Sequence, residues 1–147
     1  MKTVKLPDHP GDLIRLAIKD LEKVEKSKDY VVHMLDWHLP LKNGKCLVCM
    51  AGAVMANTLK VDKKYYAEPG RFGEQEKGKL NAINQFRVGD IYLGLIHLNF
   101  DESTARSIHE EWYKAETFPP PYYTEDPKAF KACMLRMADF FDKRIPK

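Results

Sequence analysis

The chain has 147 residues, 44% hydrophobic and 31% charged, with 24 Lys and Arg against 21 Asp and Glu for a net charge of +3. This balance excludes the apolar-poor, highly charged make-up of a disordered chain, and the length suits a single domain over residues 1–147 with its own core. Three cysteines, an odd count, behind an N-terminus without an apolar signal core argue against a disulfide framework and for a cytoplasmic protein; the longest apolar run, 46–56, is too short to cross a bilayer, so no membrane partner is expected.

In chain order, PGDLIRLAIKDLEKVEKSKD sets Leu13, Ile14, Ala17, Ile18, Leu21 and Val24 at helical spacing and gives the opposite positions to Arg15, Lys19, Asp20, Glu22 and Lys23. Pro10 and Asp12 suit its first turn. The stretch DYVVHMLDWHLPLKNGKCLVC, rich in β-branched and aromatic residues and carrying Pro40 and the turn pair Asn43-Gly44, reads as a short strand or β-hairpin near 30–46. Between Lys45 and Lys60 comes CLVCMAGAVMANTL. Its small residues Cys49, Gly52, Ala53 and Ala56 line one helical face, and Val48, Met55 and Leu59 the other, so it reads as a central helix buried on all sides, approached closely by a neighbour.

Residues 60–73 have turn chemistry and no period. A helix then buries Leu80, Ile83 and Phe86, Val88-Gly89-Asp90 breaks it, and IYLGLIHL reads equally as a short helix or a buried strand. Asp101 caps a helix with Ala105, Ile108 and Trp112 on one side. FPPPYY forms a rigid spacer, docked through Phe118 and two tyrosines or offered to a partner, and Asp126-Pro127 opens a last helix with Phe130, Met134, Met137, Phe141 and Ile145 inward. The expected fold is therefore mainly α: a bundle of about five or six helices with a small hairpin or strand element.

Chemistry-bearing residues are sparse. Cys46 and Cys49, with His33 and His38 upstream, give the spacing H-x4-H-x7-C-x2-C, which admits a small zinc site; the same thiols suit redox chemistry at a helix start, or burial as small hydrophobes. No zincin, nucleophile-elbow or P-loop pattern occurs, and His97, in an apolar run, reads as a core or interface histidine. The positive excess is confined to 42–79, with eight basic and four acidic residues. There Lys63, Lys64, Tyr65, Tyr66, Arg71, Phe72 and Lys77 combine cations with aromatic faces, a combination suited to an anionic small molecule, single-stranded nucleic acid or an acidic protein surface.

The run DLIRLAIKDLEKVEKSKDYVVHMLDWH followed by CLVCMAGAVMA resembles a group of small uncharacterised proteins encoded by tailed bacteriophages and prophages, in which a DLxxLAxxDLxxVE helix precedes a similar WH and CxVCxAGAVMA block. The resemblance covers about the first sixty residues and brings no catalytic residue or cofactor with it. It implies an accessory protein of the host cytoplasm that works stoichiometrically, by binding a host or defence protein or a phosphorylated nucleotide signal. The expected function is thus binding without catalysis and without a cofactor, with zinc or thiol chemistry and nucleic-acid binding as the alternatives.

Overall fold

Most of the α-helices among the described residues begin where a side chain accepts from a free N–H group; the exception starts after Gly73, which has no side chain to offer. In the computed structural model, which describes residues 4–116 and 119–147, α1 spans Pro10–Lys26. His9 caps it: its Nδ1 accepts from Gly11 N at 3.1 Å, which leaves the proton on Nε2 to donate to the Ile145 carbonyl at 2.8 Å. Helix α2, Met50–Asn57, is capped by sulfur, Cys49 Sγ accepting from Gly52 N at 3.3 Å. Helices α3, Glu74–Arg87, and α4, Ile91–His97, follow, so the ambiguous apolar piece is a helix, capped by Asp90. Asp101 caps α5, Glu102–Ala115, and Asp126 caps α6, Pro127–Arg144, with Pro127 at the first helical position as expected. The structure is mainly helical with a small sheet, and no helix among the described residues is long and apolar enough to cross a membrane.

The sheet has three short strands, β1 Tyr30–Val32, β2 His38–Pro40 and β3 Cys46–Val48, in the order β1-β3-β2. Strands β2 and β3 form the expected hairpin, pairing Leu39 with Leu47 across a turn in which Gly44 takes φ +86°, a conformation open to glycine. Strand β1 adds in parallel to β3, matching Val31 with Leu47. Three residues are too few to carry a readable alternation, so the sequence pattern did not show this third strand. It also corrects the boundary of the central helix: Cys46 and Val48 belong to β3, Cys49 is the cap, and α2 is only eight residues long.

Helix α1 packs between α2 and α6, and α3 lies against α2 and α4. The inward residues expected of α1, α3, α5 and α6 are all buried, and α2 is buried from Met50 to Met55. Asp20 departs from expectation. Assigned to the solvent face of α1, it is 1% exposed and accepts hydrogen bonds from Asn57 Nδ2 at 2.6 Å and from the Thr58 hydroxyl; the end of α2 covers it, and burial pushes its pKa up. Arg15 joins α1 to α6, lying 2.9 Å from Asp139 and also pairing with Asp142, whose carboxyl it holds below the usual range.

The neighbour that approaches α2 is a turn. The backbone carbonyl of Trp37 occupies the space where a side chain at Gly52 would begin, and a Cβ there would overlap it. Gly52→Ala is therefore expected to lose about 3 kcal/mol or more of stability in urea unfolding, since the atom met is backbone and has nowhere to move. Gly70→Ala, at a position with open space around it, should change stability little. Equal stability of the two variants would refute the close approach.

Candidate functional site

The four residues with zinc spacing separate into three environments. His33, at the end of β1, is half-exposed and lies 2.7 Å from Asp36. Cys49 is engaged as the cap of α2. Only Cys46 and His38 meet, with Sγ 3.5 Å from Nδ1, and that nitrogen donates to the Tyr65 carbonyl at 2.7 Å. Among the described residues, no group of three or more His, Cys, Asp or Glu is placed to hold a metal ion. Burial pushes the Cys46 thiol up to about 11 and raises Cys49 as well, while it lowers His38. His97, read as a core or interface histidine, is exposed at the end of α4; His38 is buried, and its Nε2 has no hydrogen-bond partner among the described residues.

The basic loop does not converge on one point. Lys63 turns to Asp29 at 2.9 Å, Tyr66 donates to Glu68 at 3.0 Å, and Phe72 packs on the core. Lys77 lies on α3 beside a shallow depression with Asn81 and His97. Lys64 and Arg71 make no ion pair among the described residues, and Tyr65 and Tyr66 are 58% and 55% exposed beside them. The Arg71 guanidinium only reaches the Tyr66 carbonyl at 3.5 Å.

A different place has the form of a ligand site. A hollow of about 550 Å³ opens between the end of α3, the turn after β1 and the proline segment, within the size range of small-molecule pockets. Pro119, Pro120 and Pro121 form one wall with Tyr122 and Tyr123, Met34 and Leu35 another, and Phe130 lies behind. The wall is held firmly: Tyr123 packs edge-on against Phe130, with ring centroids 5.7 Å apart, and its hydroxyl donates to Glu25. The docking assigned to FPPPYY thus holds for Tyr123, whereas Tyr122 is exposed; Phe118 lies outside the described residues.

Arg87, the last residue of α3, lines this hollow. It also lines a smaller polar one of about 110 Å³ that reaches Asp36, Trp37 and Cys49. Its guanidinium donates twice to Asn84 Oδ1, at 3.0 and 2.9 Å, and no carboxylate pairs with it among the described residues. Burial, the main influence on it, lowers its pKa. A partly buried cation without a counter-charge is costly, and an arriving anion offsets that cost. Sequence reasoning missed Arg87 because its surroundings come from three distant segments; the one local signal was the absence of an acidic residue three or four positions before it.

Compared with known proteins, the chain matches no protein-family model, and no curated protein and no solved structure matches it significantly.

The burial of both thiols makes a direct prediction. In the native protein at pH 8, Cys46 and Cys49 should resist iodoacetamide over a time in which the urea-unfolded chain is fully alkylated, because the reactive thiolate is suppressed and the sulfur covered. Mass spectrometry of tryptic peptides reads the outcome; native labelling as fast as in the unfolded chain would show that the segment opens to solvent.

Proposed function

We propose that the protein is a phage-type accessory protein that works by holding an anionic ligand in the Arg87 hollow rather than by transforming it. Support comes first from the hollow itself, where apolar walls surround a guanidinium whose charge nothing in the described residues neutralises. The resemblance of the first sixty residues to phage-encoded proteins supports the accessory role, with a phosphorylated nucleotide signal or an acidic group of a host protein as the target. Binding by occupancy needs only this geometry: an anion at Arg87, oriented by Asn84 behind it, and an apolar body against the prolines and tyrosines.

Ligand binding and fold support make opposite demands on Arg87. If its task is to meet a ligand, Arg87→Met removes an uncompensated charge and should leave the melting temperature of the ligand-free protein unchanged or raised by about 2–4 °C, the response of a domain of this size to about 1 kcal/mol. The same variant, purified from host cells, should release no bound small anion on denaturation, where the parent protein releases one detectable by mass spectrometry. A melting temperature lowered by more than a few degrees, with no anion released by either protein, would make Arg87 a structural residue.

The exposed tyrosines and unpaired cations of the loop favour a second reading, single-stranded nucleic-acid binding through Lys64, Tyr65, Tyr66 and Arg71. With two cations free to meet phosphates, affinity for a labelled oligonucleotide should fall with salt at a logarithmic slope near −1.4. Loss of binding in a Lys64→Glu, Arg71→Glu double variant would support it; salt-independent binding would remove it.

A further inference from the structure

We infer that the hollow takes a small molecule carrying a single negative charge on a flat apolar body, such as an aromatic carboxylate, a sulfonate or a phosphate diester, and that it rejects polyphosphates. The inference rests on the reading of the hollow as a binding site and narrows it.

The charge count comes from the walls. Arg87 is the one permanently charged cation among the residues lining the hollow, and no lysine joins it. Among the described residues lining it, the only other basic group, His33, lies against Asp36 at 2.7 Å. Asp36 itself faces the smaller hollow that shares Arg87, so a second or third negative charge would find a carboxylate where it needs a cation. One guanidinium with no second cation near it suits one oxyanion, bound through the planar fork of donors.

The body of the ligand is read from the remaining surface. Pro121 and Tyr122 offer flat apolar faces, and Tyr123 is immobilised by Phe130 and Glu25. At the rim, Leu35 is 84%, Tyr122 62% and Val88 44% exposed, an apolar edge in water that a ring system would cover. Position follows from Arg87 lining both hollows: the anion sits at their junction, near Asn84, and the rings extend along the proline wall.

The probes are 8-anilinonaphthalene-1-sulfonate, its near-isosteric neutral counterpart N-phenyl-1-naphthylamine, and ATP. Fluorescence titration of the full chain should show one saturable sulfonate site, weakened about tenfold or more by Arg87→Met, which corresponds to about 1.4 kcal/mol. The neutral probe should bind both proteins alike. Leu35→Glu, at a position too exposed to disturb folding, brings a negative charge to the wall and should weaken the sulfonate more than the neutral probe, so the test survives if Arg87→Met folds poorly. ATP should fail to displace the sulfonate. Displacement by ATP that depends on Arg87 would overturn the single-charge inference and leave the binding reading intact. Sulfonate binding indifferent to both variants, or no saturable site, would overturn the inference, and the release experiment on protein from host cells then judges the broader reading separately.

Discussion

The contact between the Trp37 carbonyl and the bare backbone of Gly52 sets the layout of everything around it. Because position 52 has no side chain, the turn between β1 and β2 lies directly on α2. That seat directs His38 inward at the start of β2, where its ring meets Cys46 on the neighbouring strand. It also lays Met34 and Leu35 out along the hollow, and places Trp37 and Asp36 beside Cys49 at the start of α2. Glycine costs about 1 kcal/mol of helix propensity relative to alanine, and the packing it admits offsets that loss.

Against this frame, the buried polar groups divide by how fully they are satisfied. Asp20 accepts from Asn57 and Thr58, and Lys79 donates to the Leu6 carbonyl at 2.7 Å and pairs with Asp8 at 2.8 Å, which straps the N-terminal segment onto α3. Both are structural, since each ties two distant segments: Lys79 has a carboxylate partner, and Asp20 has two neutral donors while burial raises its pKa. His38 is half-satisfied and held neutral by burial. Arg87, like Asp20, has a neutral partner and no counter-charge, Asn84 supplying only an acceptor, but its guanidinium lines two hollows whereas Asp20 is closed over by the end of α2. A cation left without a counter-charge among the described residues at the mouth of an apolar hollow is an electrostatic gap that a ligand can reach.

The elements legible in the sequence were those whose signal is local. A stripe of six apolar residues revealed α1, the Asp and Pro caps located the starts of α5 and α6, and Asn43-Gly44 located the hairpin turn. What escaped depended on contacts distant in the chain. Strand β1 pairs in parallel with β3 at a separation of sixteen residues (Tyr30 with Cys46), and Asp20 is buried because the end of α2 folds over it. The two histidines show the same limit: an apolar run left His97 to the core or to an interface, and it lies at the exposed end of α4, while His38 enters the core through the turn seated on Gly52. The candidate site suffered most, since Arg87, Leu35 and Tyr122 have no shared motif and meet only in three dimensions.

The contrast between the loop and the hollow is a contrast of dielectric. Lys64 and Arg71 carry their charge in water, where the attraction between unit charges 4 Å apart amounts to about 1 kcal/mol and salt screens it further. A composition count weighs such cations heavily, because it cannot distinguish solvated charge from walled charge. Arg87 sits between apolar faces, where the same attraction is several times stronger and water competes less for the guanidinium. One cation in that setting discriminates between ligands better than several in solvent, because a partner of the wrong charge or shape must leave either the guanidinium or its own anion stripped of water and unmet.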